Sequence, residues 1–253
     1  MQILGIIPAR YASTRLPGKP LALIKDKPML QWVWEAAMNS KLINRVVIAT
    51  DNEEISNFCK SIGAEAILSP SDLPSGTDRL IYTTKHFNLD YDIILNIQGD
   101  EPLLTSKAID KLIYEFVQSQ ADVGTLIEKI TNKEELFNPS VVKVVVDTNN
   151  NALYFSRSVI PHLRDISQED YLEKFTFWKH IGIYAYTKKS LEDFSKLPES
   201  TLEKAEKLEQ LRLMQSGAIY KCVEVDIDLM SIDTCEDLVK INEMLKNRTS
   251  DPS

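Results

Sequence analysis

The chain has 253 residues, a formal net charge of −8, 43% hydrophobic and 26% charged residues, the composition of an ordinary folded domain rather than a disordered one. The acid excess excludes the broad basic face of a general nucleic-acid binder. The three scattered cysteines, Cys59, Cys222 and Cys235, form no C-x-x-C pair and give neither a disulfide framework nor a structural zinc site. No apolar run approaches membrane-spanning length and no basic n-region opens the chain, so a cytoplasmic protein with no membrane partner is expected. At this length one large α/β core suffices.

The first apolar run, Gln2–Ile7, predicts a buried strand that Pro8 stops. A basic segment follows, with Arg10, Arg15 and Lys19 spaced by Ser13, Thr14 and Gly18, and no acidic residue before Asp26. In an acidic protein this surplus is either a solvated loop or a grip for a small polyanion such as a triphosphate. It is neither of two familiar phosphate loops. No G-x-G-x-x-G occurs, Gly18-Lys19 is followed by Pro20, and Ser13 stands where the first Walker glycine belongs.

Met29–Ser40 predicts an amphipathic helix, Arg45–Thr50 a buried strand ending at Asp51, Glu53–Ile62 a helix closed by Gly63, and Glu65–Leu68 a third strand. This β-α-β-α-β rhythm predicts a mostly parallel twisted sheet with helices on both faces. A turn-rich stretch then leads through Ser75, Gly76, Thr77 and Arg79 into a helix from about Thr77 to Phe87. Small residues at a helix start either cap it or offer backbone N–H groups to a ligand. Asp92–Gln98 reads as the next strand, broken by Gly99-Asp100-Glu101-Pro102. Asp100 there is placed either as a turn cap or to hold Mg²⁺ against a triphosphate at the sheet edge.

Thr105–Gln118 is an amphipathic helix, after which the pattern becomes strand-rich: Val123–Ile130, Val141–Asp147 and Ala152–Ser156, the last two joined by a turn through Asn149–Asn151. Arg157 closes that strand. Phe177–Tyr186 is strand-like, with His180 and Tyr184 spaced to share a face. Two helices, Lys188–Leu197 and Ser200–Ser216, precede the late strand Tyr220–Asp226. A final helix opens at Asp233-Thr234 and runs to about Leu245.

The run Ile7-Pro8-Ala9-Arg10-x-x-Ser13-x-Arg15-x-x-Gly18-Lys19 resembles the opening of the sugar-activating cytidylyltransferases. Continued through Pro20-Leu21, it is similar to the 3-deoxy-manno-octulosonate (Kdo) cytidylyltransferases in particular. Ser75-Gly76-Thr77-Asp78-Arg79, Gln98-Gly99-Asp100-Glu101-Pro102, Ala152–Arg157 and His180-Ile181-Gly182-Ile183-Tyr184 extend the resemblance almost to the C-terminus.

The resemblance implies a nucleotide-diphospho-sugar transferase-like fold that moves CMP from CTP to an acidic eight-carbon sugar for lipopolysaccharide synthesis. It implies one nucleotidyltransferase domain over 1–245, with 1–120 the nucleotide-binding half, 121–245 the sugar-binding and dimerisation half, and 246–253 a flexible tail. Pro8, Ala9, Arg10, Ser13, Lys19, Ser75, Gly76, Thr77, Arg79 and Gln98 are then expected at the nucleotide, with Arg10, Arg15, Lys19 and Asp100 catalytic. Asp100 and Asp233 are expected to hold Mg²⁺. Arg15, Gln98, Arg157, His180, Tyr184, Glu209 and Gln210 are expected at the sugar, and a homodimer is expected. The rivals are a CMP-sialate synthetase, a transferase acting on a sugar 1-phosphate, and a catalytically silent nucleotide sensor. One departure stands out: the resemblance implies His-x before Ser75-Gly76-Thr77, where this chain has Leu73-Pro74. Either an apolar edge there suits a modified acid sugar such as the 8-amino analogue, or the loop simply caps the helix and Leu73 packs on it.

Overall fold

Runs of β-branched residues punctuated by Pro, Gly and Asn set most elements close to where the sequence predicts them. The computed structural model describes residues 1–12, 16–73, 75–86, 91–227 and 229–248. β1 (Ile3–Ala9) is followed by the short pair β2 (Leu23–Ile24) and β3 (Lys27–Pro28), then α1 (Met29–Met38), β4 (Arg45–Thr50), α2 (Glu53–Ser61), β5 (Ala66–Leu68), α3 (Gly76–His86) and β6 (Ile93–Asn96). α4 (Ser106–Gln118) leads to β7 (Val123–Lys129), α5 (Lys133–Phe137), β8 (Lys143–Val146), β9 (Ala152–Ser156), α6 (Tyr171–Lys174) and β10 (Trp178–Thr187). α7 (Lys188–Lys196), α8 (Thr201–Glu206), α9 (Gln210–Gln215), β11 (Tyr220–Val225) and α10 (Cys235–Arg248) complete the order. Contacts divide the chain into two compact units, Met1–Asp110 together with the C-terminal segment, and Lys111–Ile227.

The first unit carries a parallel sheet in the order β6-β1-β4-β5. Ile3, Leu4, Ile6, Ile7 and Ala9 of β1 are all buried, as a parallel strand covered on both faces requires. The chain steps outward from β1 to β4 to β5, then returns to the far side of β1 for β6, so the strand order reverses between β1 and β6. α2 begins at Asn52, whose side chain accepts from the N–H groups of Glu54 and Ile55. Past its end Gly63 takes a φ of 76°, which glycine adopts without steric cost.

α10 belongs to this first unit. Its Ile241, with Ile232, packs among Leu16, Ile24 and Met29, and the Asn242 side chain accepts from the Lys25 N–H at 2.9 Å. Thr234 and Asp237 cap the helix reciprocally: the Thr234 hydroxyl accepts from Asp237 N–H and the Asp237 carboxylate from Thr234 N–H. The helix continues past the predicted end at Leu245 to Arg248; of the expected tail, residues 249–253 lie outside the described residues.

The second unit has a mixed sheet. β11 is parallel to β7, and β7 is antiparallel to β10. β10 and β9 both pair antiparallel with β8. The asparagine run makes the predicted hairpin turn, with Asn150 at φ 59° and Asp147 accepting from the N–H groups of Asn149 and Asn151. Lys179 is buried, and its ammonium lies 2.8 Å from Glu135 and 3.4 Å from Glu128, which offsets the desolvation of all three charges.

One predicted element is corrected. The single helix expected over Ser200–Ser216 is two, α8 and α9, broken at Lys207 in the left-handed conformation at φ 55°. The freed carbonyls do not go unmet: Arg157 Nε donates to Glu206 O at 2.8 Å and Nη2 to Lys207 O at 3.4 Å. Helical periodicity cannot register a break whose carbonyls are satisfied by a side chain some fifty residues earlier in the chain.

Packing density generates a prediction at Gly124 in β7. A Cβ there would stand 3.0 Å from two ring atoms of the buried Phe116. Gly124→Ala is expected to lower unfolding stability by about 1–3 kcal/mol, as overpacking does. Urea denaturation would show no change in midpoint if that ring had room to move.

Candidate functional site

In the parallel sheet of the first unit, Ala9 pairs with Thr50, Thr50 with Leu68, and Ile6 with Asn96. The residues that follow these strands, Arg10, Asp51, Ser69 and Gln98–Asp100, therefore leave the sheet at one edge, its carboxyl edge. Open α/β sheets take ligands in the crevice where the strand order reverses, which here lies between the ends of β1 and β6. The two loops approach closely. A Cβ on Gly99 would lie 3.2 Å from the Pro8 carbonyl oxygen, so any side chain there would push the two segments apart by a few tenths of an ångström. Gly76, at the start of α3, also lies against Pro8, its Cβ position 3.7 Å from the ring.

Lys19 joins distant parts of the sequence. Its ammonium donates to Asp100 Oδ2 at 2.6 Å and to Asp233 Oδ1 at 2.9 Å, and its side chain is 14% exposed. Burial pulls the ammonium toward neutrality, but Asp100 and then Asp233 outweigh it and hold its pKa above the ordinary lysine value. The two carboxylates are also placed by backbone: Ile232 N–H donates to Asp100 O at 3.0 Å, and Asp233 N–H to Asp237 Oδ2 at 3.0 Å. Gly18, at φ 66°, starts the turn that aims Lys19 at them.

A second joint was not anticipated. Asp51 accepts from the Tyr11 N–H at 3.1 Å and from Arg79 Nη2 at 3.1 Å. Arg79 is fully buried and also bonds Ser69. Burial and then the neighbouring Arg10 lower its pKa while Asp51 opposes them. The available signal was that Asp51 directly follows a buried strand, as Asp100 nearly does.

Of the other expected nucleotide residues, Ser75 caps α3, its hydroxyl accepting from the Asp78 N–H and donating to the Asp78 carboxylate. Thr77 and Ala9 are buried, and Pro8, Gly76 and Gln98 are half-buried along the same edge. Leu73 is half-buried just before α3. Ser13, Arg15 and Pro74 lie outside the described residues.

Arg157, His180, Tyr184, Glu209 and Gln210 all lie in the second unit. His180 and Tyr184 have ring centroids 5.3 Å apart, and His180 stands edge-on to Phe155 at 5.0 Å. His180 Nε2 and Thr125 Oγ1 share a hydrogen bond of 3.0 Å. Burial pushes the imidazole pKa down to about 3, and burial with Tyr186 and Glu209 raises the Tyr184 phenol well above its ordinary value. Arg157 donates to backbone carbonyls at the end of α8, and Gln210 is buried with its carbonyl accepting from the Tyr220 hydroxyl.

Asp100 and Asp233 suit a divalent cation in one observable respect: both already direct oxygens at one cation, the Lys19 ammonium. Among the described residues no group of three or more His, Cys, Asp or Glu is arranged for a metal. Two carboxylates leave most of an octahedral shell to other oxygens, as in metal sites completed by substrate phosphates.

A protein-family model described as cytidylyltransferase matches residues 4–227. The chain is 44% identical over 244 residues to a 3-deoxy-manno-octulosonate cytidylyltransferase of Thermodesulfovibrio yellowstonii, covering 94% of this chain and 96% of that one. It is 45% identical over 247 residues to the enzyme of that name from Pseudomonas fluorescens, covering 95% and 97%. Among solved structures, a CMP:2-keto-3-deoxy-manno-octonic acid synthetase complexed with CTP superposes with a TM-score of 0.90 at 40% identity, over 98% of this chain and 100% of that one. A putative glucose-1-phosphate thymidylyltransferase from Bacillus anthracis, at 16% identity and a TM-score of 0.69, shares the fold, with 97% and 96% covered.

The His180 environment sets a pH dependence. Its folded pKa of about 3 lies below the unfolded value of roughly 6.5. Between these pH values the unfolded chain binds the extra proton, so this residue's contribution to stability falls as pH drops through that window. His180→Gln is expected to flatten the slope of unfolding free energy against pH by up to about one proton. Urea unfolding from pH 4 to 7 measures it; equal slopes in both proteins would mean that the imidazole protonates without penalty.

Proposed function

The chain belongs to the cytidylyltransferase family, among its 3-deoxy-manno-octulosonate members, and on that footing we propose that it transfers CMP from CTP to the anomeric hydroxyl of Kdo. The sugar oxygen bonds to the α-phosphorus, the bond from that phosphorus to the bridging oxygen breaks, pyrophosphate leaves, and the hydroxyl proton is released. The product is the activated sugar used in lipopolysaccharide synthesis. The single observation that carries the reading is the convergence of Lys19, Asp100 and Asp233 at the carboxyl edge, beside the strand-order reversal.

Little covalent work falls to the protein in such a transfer; positioning and charge neutralisation supply the rate. Arg10, Arg15 and Lys19 stabilise the β- and γ-phosphate charge that grows as pyrophosphate departs. Pro8 and Ala9, at the end of β1, and Ser13 are assigned to the nucleotide, and Ser75, Gly76 and Thr77 offer it the start of α3. Arg79, buried on Asp51, acts by positioning: it ties α3 to the strand edge that also holds the Tyr11 N–H. Asp100 and Asp233 would hold Mg²⁺, which supplies charge neutralisation at the phosphates and lowers the pKa of a bound hydroxyl. The sugar-side roles of Gln98, Arg157, His180, Tyr184, Glu209 and Gln210 complete the proposal, with Arg157 exchanging carbonyl partners for the sugar carboxylate. His180, neutral at working pH, suits hydrogen bonding to hydroxyls rather than proton transfer.

Among the described residues no helix is long and apolar enough to cross a membrane. A cytoplasmic homodimer is part of the proposal, in keeping with a nucleotide-consuming reaction. Intact Lys19, Asp100 and Asp233 disfavour a silent sensor, which could dispense with the paired carboxylates.

Pyrophosphate release from CTP on adding Kdo and Mg²⁺ tests the reading; release with sialate but not Kdo would replace it. Asp100→Asn and Asp233→Asn are each expected to lower kcat by roughly 10²–10³, the scale of lost transition-state electrostatics, with the fold retained by circular dichroism. Near-normal turnover by either variant would remove that residue from the metal pair. Leu73 sets a further expectation. An apolar edge in place of an imidazole weakens recognition of one hydroxyl by about 1–3 kcal/mol, so the 8-amino analogue should rival Kdo in kcat/KM. A clear preference for Kdo that Leu73→His leaves unaltered would make this edge a packing feature.

A further inference from the structure

The Lys19 side chain occupies the position from which both Asp100 and Asp233 are neutralised, at 2.6 and 2.9 Å. The carboxylates are not gathered by Lys19 alone. The Ile232 N–H holds the Asp100 carbonyl, Asp237 holds the Asp233 N–H, and Ile232 and Ile241 anchor the segment in the core. The pair is thus prearranged by backbone, while the group between its two members is the tip of a flexible four-carbon stem. That stem rises from a turn fixed by its own hydrogen bonds, Lys19 N–H to Leu16 O and Ala22 N–H to Lys19 O, each at 3.1 Å. A lysine ammonium is a movable point charge with three donors, able to pass from carboxylate to phosphate without moving its backbone.

Resting on the nucleotidyltransfer reading, we infer that Lys19 is the resident counter-cation of the Asp100–Asp233 pair, so that a divalent ion enters only as the nucleotide's phosphates draw the ammonium away. Two carboxylates already neutralised by an ammonium attract a divalent ion weakly. With no third acidic ligand grouped beside them among the described residues, metal alone gains too little to expel it. When a triphosphate arrives, it supplies both the new partner for Lys19 and the missing oxygens for the metal. Metal and nucleotide then bind as one coupled event, and by linkage each raises the other's affinity by the same factor. The device keeps two neighbouring carboxylates from facing each other uncompensated in the empty site. It also discriminates against binding of the metal without substrate.

The test measures metal alone, by Mn²⁺ electron paramagnetic resonance on the nucleotide-free protein. Lys19→Met keeps most of the stem and removes the charge; it is expected to bind Mn²⁺ at least about tenfold more tightly than wild type, although it binds CTP more weakly. Lys19→Arg keeps a cation between the carboxylates and is expected to remain as weak as wild type. Adding Asp233→Asn to Lys19→Met should abolish the gain, which assigns it to this pair. Lys19→Gln gives the same reading should Lys19→Met fail to fold. Equal Mn²⁺ affinity in wild type and the neutral variants overturns the inference. Because no substrate is present, that result is separate from failure of the functional reading, which would instead show as no pyrophosphate released from CTP and Kdo by wild type.

Discussion

The ion contact of Lys19 with Asp100 and Asp233 is the constraint on which the first unit depends. Three groups separated by much of the chain meet within 2.9 Å, and each solves a problem for the others. Two carboxylates brought together at a partly buried edge repel, and each loses hydration. A lysine buried with no partner would shed its proton. Together they leave a net single negative charge at the sheet edge. The arrangement also explains why the C-terminal helix returns to the first unit: Ile232, bonded through its N–H to Asp100 O, sits one residue before Asp233 and inside the Leu16–Ile24–Met29 cluster. Apolar burial holds the segment, and the charges fix its register.

The Asp51–Arg79 pair does related work one strand away. Arg79 is fully buried, and a buried guanidinium persists only with partners. Asp51 and Ser69 supply them, and Asp51 also accepts the Tyr11 N–H. The end of β4, the loop after β1 and the first turn of α3 are therefore locked together beneath the exposed Arg10. A site for a highly charged ligand needs cations held apart at defined positions before the ligand arrives; otherwise binding must do that ordering. In the second unit the Lys179–Glu128–Glu135 cluster and the half-buried His180 likewise have polar partners.

The sequence by itself determined most of the element order, the parallel core and the family motifs that lie along the sheet edge. Ile-rich β1, the Arg45–Thr50 strand and the asparagine hairpin were legible because local propensity and burial agree there. The charge of the basic loop against an acidic chain, and Asp100 beyond a buried strand, pointed to the site for the same reason: both are local patterns. Three features were decided only by tertiary structure. The break at Lys207 needs Arg157, just past the end of β9, to take its carbonyls, so no helical periodicity records it. Residues four apart in a regular strand are roughly 13 Å apart. The contact between the His180 and Tyr184 rings at 5.3 Å therefore depends on the irregularity of β10 between Ile181 and Tyr184. That Lys19 rests on Asp100 and Asp233 is a long-range electrostatic fact: sequence names the charges, but only the folded backbone brings them within hydrogen-bond reach.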